Sequence, residues 1–244
     1  FFEESFCYYG NVLKPIEIEL QDGKKALLAG RIDRIDVIDV PGIEGGEDSE
    51  VVRVIDYKTG GDTFNREQVE SGYKLQLMLY MNAAEGVSQG DSAGVFYFKI
   101  DDTSSNSDDG KAEKIPAEER IAKSCRLEGV LVDDRSVLKA MDGSLAPGET
   151  STVIPVKIKK DGGLVKYNPS ELLPKEEFDR LKEIALEPAE RICREIQEGR
   201  IDVEPKVEKS SKSGNRNATS CDYCSYKGIC MFDTSFRQCR YTPV

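Results

Sequence analysis

The chain has 244 residues, of which 39% are hydrophobic and 32% charged, and its formal net charge is −11. This composition fits a globular domain with a full core, and the charge argues against a protein that holds nucleic acid by general attraction. No run of about 18 apolar residues occurs, which excludes a predicted membrane-spanning helix. The chain begins with Phe1 and has no signal-peptide pattern, so we expect it to be part of a longer protein.

The first quarter of the chain predicts short β-strands. Residues 6–9 and 16–20 have strand composition, and residues 22–23 (Asp-Gly) are a hairpin turn signal. Residues 30–36 and 51–60 are rich in Val and Ile, and an acidic, glycine-rich stretch separates them. They predict a β-hairpin.

Three charged side chains are expected at the end of this hairpin. Asp33 lies on its first strand, while Asp56 and Lys58 are two residues apart on the second and so share a face. Two converging carboxylates repel each other unless a cation joins them, and hard oxygen ligands suit Mg²⁺. A lysine beside such an ion can orient or deprotonate a water, or stabilise charge on a phosphate. The pattern predicts metal-assisted phosphodiester hydrolysis; ordinary charges at a strand edge are the alternative.

A helix is predicted over residues 65–85. Val69, Tyr73, Gln76 and Tyr80 recur at helical spacing and would share one face. A polar Gln76 on that face indicates either the edge of a core helix or a side chain directed at the site.

The middle of the chain predicts further sheet elements and one long loop. Residues 93–100 are strongly apolar and aromatic, so we expect them at the centre of the sheet. Residues 101–110 predict a polar loop, and residues 116–126 start like a helix. Residues 153–159 and 163–167 predict a second hairpin.

The longest predicted helix spans residues 174–199. Pro188 lies inside it and predicts a kink or short break, and Gly199 is a natural stop. Residues 206–219 are polar and mildly basic, which indicates a flexible linker or a loop that contacts phosphate.

Three cysteines near the end of the chain have the spacing C-x2-C-x5-C: Cys221, Cys224 and Cys230. Thiolates this close in sequence can bind a soft metal in a reducing cytosol. A zinc knuckle with Cys239 as fourth ligand and a tail without metal are the alternatives.

The G-R-I-D motif ending at Asp33 and the I-D-Y-K-T-G motif of Asp56 and Lys58 resemble the PD-(D/E)xK nuclease superfamily in its RecB-like branch. The Q-L-M-L-Y segment from Gln76 to Tyr80 resembles the helix that lines the active site in that branch. The best match is to nuclease domains of AddB-type helicase–nuclease subunits. The resemblance implies that Gln76 and Tyr80 orient Lys58 or a phosphate.

The same resemblance implies an α/β, restriction-endonuclease-like fold with a mixed central sheet flanked by helices. It implies that Asp33, Asp56 and the backbone carbonyl of Tyr57 bind Mg²⁺ or Mn²⁺, and that Lys58 positions or activates the attacking water. Many relatives complete the metal site with a helical Glu or His, which we expect upstream of Phe1.

For the cysteines, the resemblance implies that Cys221, Cys224 and Cys230 are ligands of a [4Fe–4S] cluster whose fourth cysteine lies far upstream. Cys7 is the only cysteine before Asp33 and lies close to the nuclease core. We therefore expect the fourth ligand outside this chain and the cluster to be absent or incomplete within it.

The implied organisation is a nuclease domain over residues 1–205 and a cysteine-bearing tail over residues 206–244. The implied function is metal-dependent exonucleolytic cleavage of DNA by a helicase–nuclease that processes double-strand breaks for recombinational repair in the bacterial cytoplasm. An AddA-type subunit would be its heterodimer partner. No Walker motif occurs, so ATP hydrolysis would lie elsewhere. The alternatives are a CRISPR-associated or other RecB-like exonuclease, and a catalytically silent DNA-binding or scaffold module.

Overall fold

The computed structural model describes residues 1–10, 12–42, 47–60, 63–88, 90–100, 121, 124–167, 170–208, 218–219, 221, 224–233, 235–236 and 238–243. The predicted loop over residues 101–110 lies outside these ranges, as do most of the predicted helix start over residues 116–126 and the basic stretch over residues 209–217.

The strands, in chain order, are β1 (Phe2–Phe6), β2 (Ile16–Glu19), β3 (Lys25–Leu28), β4 (Gly30–Val40), β5 (Ser49–Lys58), β6 (Asp91–Lys99), β7 (Glu128–Val132), β8 (Val156–Ile158), β9 (Leu164–Lys166), β10 (Glu171–Leu173), β11 (Lys206–Glu208), β12 (Ala218–Thr219) and β13 (Thr242–Pro243). The helices are α1 (Arg66–Glu70), α2 (Gln76–Ala84), α3 (Arg135–Met141), α4 (Lys175–Gln197) and α5 (Lys227–Cys230).

A six-stranded sheet with the order β1-β4-β5-β6-β7-β10 forms the centre of the fold. β4 is antiparallel to β1 and β5, whereas β5 runs parallel to β6 and β7 parallel to β10. The mixed sheet confirms the expected α/β class, and β6 is a central strand as its apolar sequence predicts. The two predicted hairpins also form, β4 with β5 and β8 with β9.

Helices cover both faces of the sheet and create two cores. On one face, Met78 of α2 and Leu181 of α4 are fully buried against Ile35 and Val54. On the other face, α3 packs Leu138 into a second cluster with sheet residues. Burial at about 25 cal/mol per Å² of apolar surface makes these two layers the main source of stability.

The start of the chain differs from the prediction. The first strand is β1, Phe2–Phe6, and not residues 6–9; Tyr8 and Tyr9 follow it and are exposed. The hairpin signal at residues 22–23 is confirmed, because β2 and β3 are antiparallel around it. They form a separate two-stranded sheet and do not continue into β4 as a meander.

The single helix predicted over residues 65–85 is wrong. Two helices, α1 and α2, form instead, and Gly72 lies between them with φ +75°. A Cβ at Gly72 would lie 2.6 Å from Cβ of Pro188, so the turn packs closely on α4. The break makes Gln76 the first residue of α2, where its exposed side chain is free of the core.

The long helix forms without the predicted break. α4 continues through Pro188, whose side chain is buried against the α1–α2 turn. The helix ends as predicted, because Gly199 has φ +73° and its N–H donates to the carbonyl of Ile196 at 3.1 Å. The N–H of Arg200 donates to the carbonyl of Glu195 at 2.9 Å, which completes the Schellman pattern.

The segment predicted as a linker begins with regular structure. Val207 of β11 is buried, and β11 pairs with β12 and β13. The linker interpretation is therefore wrong for residues 206–208. The division at residue 205 remains a prediction.

Among the residues that the structure describes, no helix combines the length and apolar character needed to cross a membrane.

Candidate active site

The end of the β4–β5 ladder places the two predicted metal carboxylates together. Arg34 pairs with Ile55, so the continued register sets Asp33 opposite Asp56, and residues opposite each other share a face of the sheet. The backbone N–H of Tyr57 donates to Oδ2 of Asp33 at 2.9 Å. Asp56 is 3% exposed, and the Asp33 side chain is half-buried.

Lys58 links this strand pair to α2. Its Nζ lies 2.6 Å from Oδ2 of Asp56 and donates to Oε1 of Gln76 at 3.0 Å. The Nε2 of Gln76 donates to the Tyr80 hydroxyl at 2.8 Å. Tyr80 in turn packs edge-on against the Phe6 ring, with 5.9 Å between ring centroids. The four predicted polar residues thus form one connected series, and the core side of α2 fixes its far end.

The structure adds Tyr97, a residue that the sequence interpretation missed. Tyr97 of β6 pairs in register with Asp56, is 5% exposed, and its ring centroid lies 5.7 Å from Nζ of Lys58. A cation near an aromatic face is attracted to it. The aromatic composition of residues 93–100 indicated a central strand, but which residue would lie beside Asp56 depends on strand register.

An ion-pair group on the other face of β4 supports the strand pair. Asp36 accepts from Nε of Arg34 and from Nε of Arg53, both at 2.8 Å. Burial raises the pKa of the Asp36 carboxyl, but the hydrogen bonds from the two arginines outweigh burial and hold the pKa below its ordinary value. Hydrogen bonds to Asp36 and to the Tyr57 side chain raise the pKa of Arg34. These contacts tie β4 to β5 next to Asp33.

The donor set suits a hard divalent ion. Asp33 and Asp56 bring two carboxylates to one face, with Lys58 as the ammonium paired with Asp56, and the Tyr57 carbonyl follows directly in the chain. Mg²⁺ accepts such a sparse set because it keeps several waters. Within the described ranges, no three His, Cys, Asp or Glu side chains are grouped closely enough to hold a metal, so water or substrate oxygens would complete the shell.

The cysteine motif has the right donors but not the arrangement for a cluster. Cys221 is half-buried, and Cys224 and Cys230 are exposed. Cys224 and Cys221 share a turn in which the N–H of Cys224 donates to the carbonyl of Cys221 at 3.2 Å. In the part of the chain described, three thiols do not converge, so these residues alone do not form a cluster site.

Comparison with known proteins gives consistent matches. The family model of the PD-(D/E)XK nuclease superfamily matches residues 9–231. An ATP-dependent helicase/deoxyribonuclease subunit of Clostridium perfringens (strain SM101 / Type A) is 38% identical over 236 residues, which cover 94% of this chain and 19% of that protein.

Proteins of the same name from Alkaliphilus metalliredigens (strain QYMF) and Clostridium botulinum (strain Hall / ATCC 3502 / NCTC 13319 / Type A) are 36% and 33% identical. These matches cover 94% and 99% of this chain. They cover 19% and 20% of the two relatives, so the chain spans about a fifth of their length.

Proposed function

This chain belongs to the PD-(D/E)XK nuclease superfamily, and on that premise we propose that it is a Mg²⁺-dependent DNA exonuclease domain. Mn²⁺ would serve as an alternative ion, since it also accepts carboxylate, carbonyl and water ligands.

The observation that carries the proposal is the connected series from the strand pair to α2. Asp56 contacts Lys58, Lys58 contacts Gln76, and Gln76 contacts Tyr80, while Asp33 lies in register with Asp56. A buried carboxylate is costly unless it is paired, so retention of this group on an otherwise apolar face favours a role in chemistry.

In this proposal Asp33, Asp56 and the Tyr57 carbonyl hold the ion, which supplies Lewis acidity and lowers the pKa of bound water. Asp33 is fixed by the N–H of Tyr57, so both carboxylates are oriented before the substrate arrives.

Lys58 acts beside this site. Its ammonium has three donors, of which Asp56 and Gln76 use two, and the third can meet the attacking water or a phosphate oxygen. A fixed cation there stabilises the charge that develops on phosphorus oxygens. Gln76, restrained by Tyr80, keeps the ammonium from turning away.

The wider setting is also part of the proposal. The named relatives support a helicase–nuclease that works on DNA in the bacterial cytoplasm, with an AddA-type subunit as the partner, in double-strand-break processing. The [4Fe–4S] cluster of Cys221, Cys224 and Cys230 would form only with a fourth ligand from outside this chain.

The two alternative functions are less well supported. A silent scaffold module would have no need of the complete Asp33, Asp56, Lys58, Gln76 and Tyr80 set. A CRISPR-associated exonuclease would share the same core, but the matches over nearly the whole chain carry the helicase/deoxyribonuclease name.

The proposal is tested by Lys58→Ala in the helicase–nuclease that contains this chain. We expect cleavage of one DNA strand to be lost while DNA-stimulated ATP hydrolysis continues, because the two activities use different sites. Lys139→Ala is the matched control, since Lys139 is exposed on α3 at the opposite face. Retained cleavage of that strand by Lys58→Ala would place the nuclease site elsewhere.

A further inference from the structure

A second lysine–carboxylate pair lies next to the candidate active site. Nζ of Lys99, at the end of β6, is 2.8 Å from Oε2 of Glu128, at the start of β7. Lys58 pairs with Lys99 in the parallel β5–β6 register, and Tyr97 pairs with Glu128 in the antiparallel β6–β7 register. The new pair is therefore one strand farther along the sheet than the pair of Asp56 and Lys58.

Both pairs are on the same face. Side chains alternate along a strand, and Val95 and Tyr97 of β6 belong to the core beneath α2 and α4, so Lys99 points to that side as well. Glu128 shares this face with Val130, which belongs to the same core. Successive neighbours across four strands thus form one row, which consists of Asp33, Asp56, Tyr97 and Glu128.

The Lys99 ammonium has capacity for another ligand. An ammonium carries three donors, and among the described residues Glu128 is its one acidic partner. The side chains of Lys99 and Glu128 are 23% and 28% exposed, so the pair is anchored but reaches solvent. Glu128 limits the rotation of Lys99, which lowers the entropy lost when the ammonium binds an anion.

Charge and spacing indicate what that anion is. The chain carries a net charge of −11, so attraction to DNA must come from local cations placed beside the cleaved bond. Neighbouring strands lie about 4.8 Å apart, which puts Lys99 one step beyond Lys58 as seen from Asp33. A ligand that bridges the metal carboxylates and Lys58 would extend toward Lys99 with its next anionic group.

We propose that Lys99, oriented by Glu128, binds the backbone phosphate adjacent to the one that is cleaved. The inference rests on the proposed nuclease function and adds a substrate-binding position to the same face. Lys99 is a binding residue here, and Glu128 is a positioning residue that acts through Lys99.

The test is steady-state cleavage of a short single-stranded oligonucleotide by the full-length protein with Mg²⁺ over a range of salt concentrations. We expect Lys99→Gln to raise KM roughly tenfold with kcat nearly unchanged, since one charge-assisted hydrogen bond is lost from binding. The slope of log KM against log salt should decrease by about 0.7, the share of one phosphate contact on a single strand.

Three variants accompany Lys99→Gln. Lys99→Arg keeps the charge and should retain most of the salt slope. Lys139→Gln removes the same charge from the opposite face and should leave KM and the slope unchanged. Glu128→Gln should change KM only when Lys99 is present, because a residue acting through another has no separate effect. Melting temperatures show whether each variant is folded.

Unchanged KM and salt slope in a folded Lys99→Gln protein would overturn the inference, as would an equal change in Lys139→Gln. A fall in kcat with KM unchanged would also overturn it, because Lys99 would then act in chemistry and not in binding. Asp56→Asn separates the two proposals. If Asp56→Asn still cleaves, the proposed function fails; if it is inactive while Lys99→Gln behaves as wild type, only the inference fails.

Discussion

Single residues in this site are held by charge pairs on both faces of the β4–β5 ladder. On the face toward α2, Lys58 joins Asp56 to Gln76. On the opposite face, Asp36 joins Arg34 and Arg53, whose side chains are 33% and 13% exposed. The first group is arranged for chemistry, and the second fixes the strands that carry it.

Asp36→Asn should reduce the free energy of unfolding at pH 7 by roughly 3 kcal/mol, because it leaves the Arg53 guanidinium largely buried without its carboxylate. The folded-state pKa of Asp36 lies below its unfolded value, so the stabilisation is complete above the unfolded pKa of about 3.9 and is lost as pH falls through the folded pKa. Urea unfolding at pH 7 and pH 3 measures this. Asp39→Asn on the same strand is an exposed control, and an equal loss at both pH values would contradict the account.

At the scale of elements, the turn between α1 and α2 decides where Gln76 lies. Helical spacing of Val69, Tyr73, Gln76 and Tyr80 favoured one continuous helix, yet the chain turns at Gly72. Sequence periodicity cannot detect such a break when both segments keep their apolar residues toward the same core. The pattern indicated the right partner, Tyr80, because Gln76 and Tyr80 both fall within α2.

Gly72→Ala should destabilise the chain by about 2–3 kcal/mol. A side chain in the left-handed region costs about 1–2 kcal/mol, and the added Cβ would also meet Pro188 of α4 at 2.6 Å. Gly199→Ala is the matched control, because Gly199 has φ +73° but nothing within 4 Å of the added Cβ, so it should lose only the conformational part. Equal losses of melting temperature in the two variants would contradict the close packing of this turn.

For the whole molecule, the fold class and the catalytic strand pair could be predicted because both depend on local patterns. Asp33, Asp56 and Lys58 lie on two strands joined by one loop, so chain order alone suggests that they meet. Tyr97 could not be found this way, because its place beside Lys58 depends on a parallel register between strands with α1 and α2 between them. The continuous course of α4 through Pro188 likewise depends on the contact of its ring with the α1–α2 turn.

The C-terminal cysteines belong to the same scale, because their predicted ligand set is completed from outside the chain. Cys224→Ala should leave the melting temperature of the 244-residue chain nearly unchanged, since Cys224 is exposed. In the full-length protein the same change should lower both iron content and melting temperature, because a cluster closes a long loop between distant segments. A large loss of stability in the 244-residue chain would instead indicate a complete site within it, such as zinc with Cys239.

The central claim is that the face formed by Asp33, Asp56 and Lys58 cuts DNA with the help of a divalent ion. The most direct measurement is Mg²⁺-dependent cleavage of end-labelled DNA by Asp33→Asn in the full-length helicase–nuclease, beside Asp39→Asn. Both changes remove one carboxylate from β4, but only Asp33 lies opposite Asp56 and accepts from Tyr57. The account predicts that Asp33→Asn loses cleavage of one strand at least about 100-fold, in line with the share that positioned electrostatics supply, while Asp39→Asn cuts normally. Normal cleavage of both strands by Asp33→Asn would contradict it.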